Sequence, residues 1–274
     1  MWSFQLVATL AGAALLAPGA GRRPTHAPPT VNVEATDYGF SMPATLPAGP
    51  TTFRLVNHGR EAHHLMLVRL APGHSAADYV HALKPGAPPP SWAAAAGGPN
   101  AVDPGGTSLE TTVRLDAGRY AAVCVIPGPD GVPHAMKGMY RDLVVTPAAT
   151  AVARTTPPAD TVTLYDYGFR TSRAPAAGVE RVLVRNAGTQ AHELAIARLL
   201  PGKTAGDVAK WAEKMAGPPP AHFVGGVSPL AAHGENELTL ALTPGRYALL
   251  CFVPDAADGK PHVAHGMMHE LEVK

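Results

Sequence analysis

The chain contains two copies of one pattern. Residues 54–73 read RLVNHGREAHHLMLVRLAPG and residues 183–202 read LVRNAGTQAHELAIARLLPG, with nine of 20 positions identical at a fixed offset of 129. Asp37-Tyr38-Gly39-Phe40 returns at the same offset as Asp166-Tyr167-Gly168-Phe169. LDAGRYAAVCVIPGPDGVPHAMKGM, which ends at Met139, returns as LTPGRYALLCFVPDAADGKPHVAHGM, which ends at Met267, with 13 of 25 positions matched across one gap. A period this long marks duplication of a whole folding unit rather than a solenoid. The 274 residues therefore divide into a unit at 31–146, a Pro/Ala/Thr-rich linker at 147–160 and a second unit at 161–274.

Each unit reads mainly as β. Val31, Val33 and Ala35 alternate with polar residues, as do Leu109, Thr111, Val113 and Leu115. This is the period of a half-buried strand. Gly 28 and Pro 29 make up about a fifth of the chain, which favours short strands joined by turns in an antiparallel sandwich or barrel. One stretch per unit has helical signals. Ser75 and Thr204 each follow Pro-Gly at an N-cap position, and helices are expected from there to about Leu83 and Met215. The proline triplets at 88–90 and 218–220 should end them. The pairs Gly97-Gly98 and Gly225-Gly226 are expected in loops, without the strand-to-helix setting of a phosphate cradle.

Composition narrows the function classes. Net charge is +1 and charged residues are 16%, which argues against a broad nucleic-acid-binding face and against a polybasic membrane patch. Residues 6–17 read LVATLAGAALLA, followed by Pro18-Gly19-Ala20-Gly21. The run has the length of an export-signal core and is too short to span a bilayer. An exported protein cut near Gly21 is expected, with 1–21 as signal and 22–30 as leader; the alternatives are a misassigned start codon or a buried N-terminal strand. No other segment has the length of a membrane span, so the mature chain is expected outside the cytoplasm, periplasmic or extracellular, or held by a signal that stays uncleaved.

Two cysteines are too few for a disulfide framework. They stand at the same place in the two units. Tyr120 and Cys124, and Tyr247 and Cys251, lie four apart, which on a strand places both on one face. After each cysteine the spacing is C-x9-H-x4-M, reaching His134 and Met139, or C-x10-H-x4-M, reaching His262 and Met267. Upstream each unit has one matched histidine, His63 or His192. One thiolate, two imidazoles and a thioether make up the ligand set of a trigonal copper site with a weak axial methionine. Met136 and His64 are weaker candidates, because their counterparts are Ala264 and Glu193. Two other readings stay open for the cysteines: buried core thiols, or a disulfide, which placement inside separate barrels disfavours. His265 and His269 are either an additional exposed metal site or solvated positions.

These residues resemble the cupredoxin, or blue-copper, family. The PheArgLeuValAsn strand leading to His63 is similar to the family's first-histidine strand. The Leu-x-x-Gly-x-Tyr-x-x-x-Cys pattern is similar to the strand that delivers the copper thiolate. The resemblance implies two tandem Greek-key β-sandwich domains of seven or eight strands. It implies His63, Cys124 and His134 as equatorial ligands with Met139 axial, and His192, Cys251, His262 and Met267 in the second unit. It also implies one-electron transfer with a redox partner protein.

The chain departs from the family's pattern at three points. The Cys-to-His loop is longer than in plastocyanin-like proteins and closer to the first domain of copper nitrite reductases. The position after the first histidine, often Asn in the family, is His64 or Glu193. No histidine adjoins either cysteine to reach a second copper centre, so neither reductase nor oxidase activity is expected. A copper carrier and a metal-free interaction module are the alternative functions.

Overall fold

The computed structural model describes residue 1 and residues 27–84, 87–148, 158–215 and 217–274. The expected signal core and cleavage region, and most of the linker, lie outside the described residues. Among the described residues no helix is long and apolar enough to cross a membrane.

The first unit contains β1 (Thr30–Thr36), β2 (Gly39–Ser41), β3 (Thr45–Pro47), β4 (Gly49–Asn57), β5 (Met66–Leu70), α1 (Ala76–Ala82), β6 (Ala93–Gly97), β7 (Glu110–Leu115), β8 (Gly118–Val123) and β9 (Tyr140–Thr146). The second contains β10 (Asp160–Tyr165), β11 (Gly168–Thr171), β12 (Gly178–Asn186), β13 (His192–Leu199), α2 (Ala205–Ala212), β14 (Ala221–Leu230), β15 (Glu235–Leu242), β16 (Gly245–Leu250) and β17 (Met268–Val273). The protein is thus all-β with one short helix per unit. The alternating pattern of β1 buries Val33 and Ala35, and that of β7 buries Thr111, Val113 and Leu115.

The strands form two sheets that run through both units. One has eight strands in the order β11-β10-β12-β15-β7-β4-β1-β2; the other has nine, in the order β17-β16-β13-β14-β6-β5-β8-β9-β3. Each unit is a sandwich of its share of the two sheets. Phe53, Leu55, Leu67 and Leu143 fill the first interior, and Leu164, Leu194, Ile196 and Leu238 the second. The sandwiches join at a seam where β7 pairs with β15 and β6 with β14, both antiparallel. The seam has an internal two-fold. Thr111 pairs with Leu238, Thr112 with Glu237 and Glu110 with Thr239. Thr111 and Leu238 are equivalent positions, related by the offset of 127 that also relates Tyr120 to Tyr247.

The glycine pairs lie in this seam and not in open loops. Gly97 ends β6 and Gly225-Gly226 lie inside β14. Gly226 has φ +125, and a Cβ there would stand 1.9 Å from the Leu194 carbonyl oxygen. Only glycine permits this backbone approach.

Ser75 and Thr204 cap their helices through reciprocal capping boxes with Asp78 and Asp207. Both helices stop before the proline triplets. Leu83, the C-cap of α1, is extended, with ψ 133. α2 ends at Ala212, and Met215 has φ 45.

Candidate metal centre

Strand ends deliver the candidate ligands. Cys124 follows β8 and Cys251 follows β16. Tyr120 anchors its strand by bonding the Asp116 backbone, accepting the N–H at 3.2 Å and donating to the carbonyl at 3.1 Å. Tyr247 donates to the Thr243 carbonyl at 3.0 Å. His63 stands between β4 and β5, held by backbone pairing with Val102. His134 and His262 open single 3-10 turns, His134–Lys137 and His262–His265. Glycine in the left-handed region closes each turn and returns the chain to Met139 or Met267.

The spacing groups converge in space. His63, Cys124 and His134 come together, as do His192, Cys251 and His262, and all six are fully buried. In the first group the Cys124 sulfur is 3.5 Å from His134 Nδ1 and 4.0 Å from His63 Nδ1, and the two Nδ1 atoms are 3.0 Å apart. In the second the sulfur distances are 3.3 Å and 4.0 Å, and the Nδ1 atoms are 2.9 Å apart. Both cysteines are free. Met139 and Met267 are buried in the same apolar clusters as their cysteines. By contrast Met136 is 44% and Met268 36% exposed.

The outer nitrogens explain why the inner ones face each other. His63 Nε2 is 2.7 Å from Asp37 Oδ1, and His134 Nε2 is 2.7 Å from Glu61 Oε2. A carboxylate accepts, so each Nε2 carries the hydrogen and each Nδ1 presents a lone pair. Burial lowers the pKa of both imidazoles and keeps them neutral. Two lone pairs 3.0 Å apart beside a thiol repel unless a cation or proton lies between them. This is the carboxylate–histidine–metal arrangement, and the donor set of two imidazoles and a thiolate fits copper. Burial pushes the Cys124 thiol up to about 12 and raises that of Cys251 as well. A metal must therefore displace the proton to bind.

The two centres differ at the second histidine. His192 repeats the outer contact, 2.6 Å from Asp166 Oδ1. Gln190 stands where the first unit has Glu61, and the nearby carboxylate is that of Asp255, from the longer loop. His262 Nε2 is 3.7 Å from Asp255 Oδ2 and has no hydrogen bond. Asp255 is committed elsewhere: it accepts from Tyr167 Oη at 2.6 Å, Gln190 Nε2 at 2.8 Å, and the N–H groups of Ala257 and Asp258. These bonds hold its pKa well below the usual carboxylate range. His265 does lie beside Asp255 and Asp258, but an Asp255 already bonded four times offers no free lone pair for an additional metal. His269 is not part of that group.

Asp37, Asp166 and Glu61 were not among the sequence-derived candidates. The repeated Asp-Tyr-Gly-Phe motif contained the signal for the two aspartates, since a carboxylate kept at the same place in both copies has a reason other than packing.

The position after each first histidine holds the cysteine loop. His64 Nε2 accepts the N–H of Val125 at 3.0 Å, and Glu193 Oε1 accepts that of Phe252 at 2.7 Å. The backbone N–H of His64 points at the Cys124 sulfur from 3.5 Å, and that of Glu193 at Cys251 from 3.4 Å.

No family model and no curated protein matches the chain. Among solved structures it is similar to auracyanin A of Chloroflexus aurantiacus, a blue copper protein, with 24% identity over 44% of this chain and 100% of that one, TM-score 0.32. It is similar to reduced auracyanin of Roseiflexus castenholzii at 21% identity over 42% of this chain and 94% of that one, TM-score 0.29. It is also similar to the copper nitrite reductase of Nitrosomonas europaea at 14% identity, over 89% of this chain and 93% of that one, TM-score 0.27.

Proposed function

We propose that this chain is an exported electron-transfer protein with two mononuclear copper sites, one in each of the units 31–146 and 161–274. His63, Cys124 and His134 would hold copper in the first and His192, Cys251 and His262 in the second, with Met139 and Met267 as weak axial thioethers. The observation that carries this reading is the pair of inward-facing Nδ1 atoms beside a buried thiol, present in both units.

Copper supplies a one-electron couple when bound in such a site. The chain's own residues do the rest. Asp37, Glu61 and Asp166 fix the imidazole tautomers and ring angles. The N–H groups of His64 and Glu193 point at the sulfur and temper its charge. Full burial of the donors excludes water. A scaffold of this rigidity limits the movement that accompanies a change of oxidation state.

A site that delivers copper ions favours exposed, exchangeable donors, and these are buried. The neighbours of the cysteines, Val123 and Val125, Leu250 and Phe252, include no histidine to bind an adjoining metal, so we infer electron transfer with a redox partner protein rather than nitrite reduction or phenol oxidation.

Copper titration of Cys124→Ser and Cys251→Ser tests the reading. The wild type should develop an intense visible thiolate-to-copper band, and each variant should lose one site's share of it. A wild type that binds copper without such a band, or binds none, overturns the proposal.

A further inference from the structure

Asn100 crosses from the first unit into the surroundings of the second centre. It lies just beyond β6 and is 2% exposed. Its Nδ2 donates to Glu193 Oε2 at 3.0 Å and to the Val227 carbonyl at 3.0 Å, and its Oδ1 accepts the N–H of Ala101 at 2.6 Å. The other Glu193 oxygen accepts the N–H of Phe252 at 2.7 Å, directly after Cys251. One carboxyl group therefore bridges the first unit and the loop that carries the second cysteine.

The contact is one-sided. Across the seam the equivalent of Asn100 is Ser228, because Pro99 pairs with Val227 at the two-fold. The shorter Ser228 hydroxyl donates to the Pro99 carbonyl at 2.9 Å and not to His64. We propose that Asn100 is a positioning residue of the second metal centre: it fixes the Glu193 carboxyl, and through it the Cys251 loop, so that the second site depends on the first unit while the first site has no such debt. The inference rests on the copper reading above. The physical basis is entropic and geometric. Unanchored, the Glu193 side chain rotates about three bonds; bonded at both oxygens it holds one rotamer.

Asn100→Ser tests this, because it places in the first unit the residue that the seam already accepts at the equivalent position. In a Cys124→Ser background only the second site contributes a thiolate band. There Asn100→Ser should weaken copper binding by roughly 10–100-fold and shift the band and the midpoint potential. In a Cys251→Ser background the first site should be unchanged. When Glu193→Ala is already present, adding Asn100→Ser should change the second site no further, since contacts that act through one another are not additive. Equal losses at both sites, additive losses, or an unchanged second-site band overturn the proposal. A wild type with no thiolate band overturns the copper reading and this inference with it; a normal band indifferent to Asn100→Ser overturns the positioning role alone.

Discussion

His64 Nε2 accepts the backbone N–H of Val125 at 3.0 Å, which makes a histidine serve where the other unit uses the carboxyl of Glu193 on Phe252. Both are buried, and burial drives each toward its neutral form: the His64 pKa falls to about 3 and that of Glu193 rises. Two side chains of different chemistry converge on one task, accepting the first N–H after the cysteine.

His64→Leu removes that acceptor without changing the bulk much. The Val125 N–H loses its partner, at a cost of about 1–3 kcal/mol. Denaturant unfolding of the copper-free protein should show the loss. Copper binding at the first site should weaken while the second site, read in the same titration, keeps its affinity.

Asp37→Asn should loosen the first centre and Asp166→Asn the second. An amide accepts less strongly than a carboxylate and can present its NH₂ to the imidazole, so the ring loses its fixed tautomer. Roughly 10–100-fold weaker copper binding at the affected site is expected, by competition titration against a chelator. Equal affinity in both variants and wild type would contradict the orienting role.

Asn236 ties the seam from the opposite side. Its Oδ1 accepts the N–H of Gly98 at 3.1 Å and its Nδ2 donates to the Ala96 carbonyl at 3.2 Å, both in the first unit. Asn236→Leu strands these backbone groups and should cost about 1–3 kcal/mol. Because sheet pairing crosses the seam, calorimetry should show one unfolding transition in the wild type rather than two.

The helix caps give a pH signature. Hydrogen bonds from Ser75 and Thr204 lower the pKa values of Asp78 and Asp207 from the ordinary 3.8. A carboxyl with a folded pKa below its unfolded one adds stability above the unfolded value and loses it as pH falls through the folded one. The double variant Asp78→Asn, Asp207→Asn should therefore melt below the wild type at neutral pH. The gap should close as pH falls from about 5 toward 2.

The repeat made the all-β units and the grouping of histidine and cysteine legible, because strand alternation and ligand order are local properties of the chain. The surroundings of the centres were less so. Asp255 is hidden because it lies in the loop after Cys251, where the first unit has Gly128, and not at the position of Glu61. Asn100 is invisible for another reason: its partner Glu193 lies 93 residues away and meets it only because the units pack about a two-fold. The glycine pairs were misplaced into loops because a Gly-Gly reads as a turn, whereas close strand approach makes the same demand on the backbone.

The pairing of Thr111 with its own counterpart Leu238 has a consequence for how the two units associate. A contact in which equivalent residues face each other is isologous, the kind found between identical subunits of a symmetric dimer. Here both partners belong to one polypeptide, so their association no longer depends on concentration. Each unit alone would present unpaired edges, β6 and β7 in the first and β14 and β15 in the second, which invite another strand. The self-complementary strand for that edge is the same unit's twin. The architecture is that of a homodimer held within one polypeptide, with an asparagine on one side of the axis and a serine on the other.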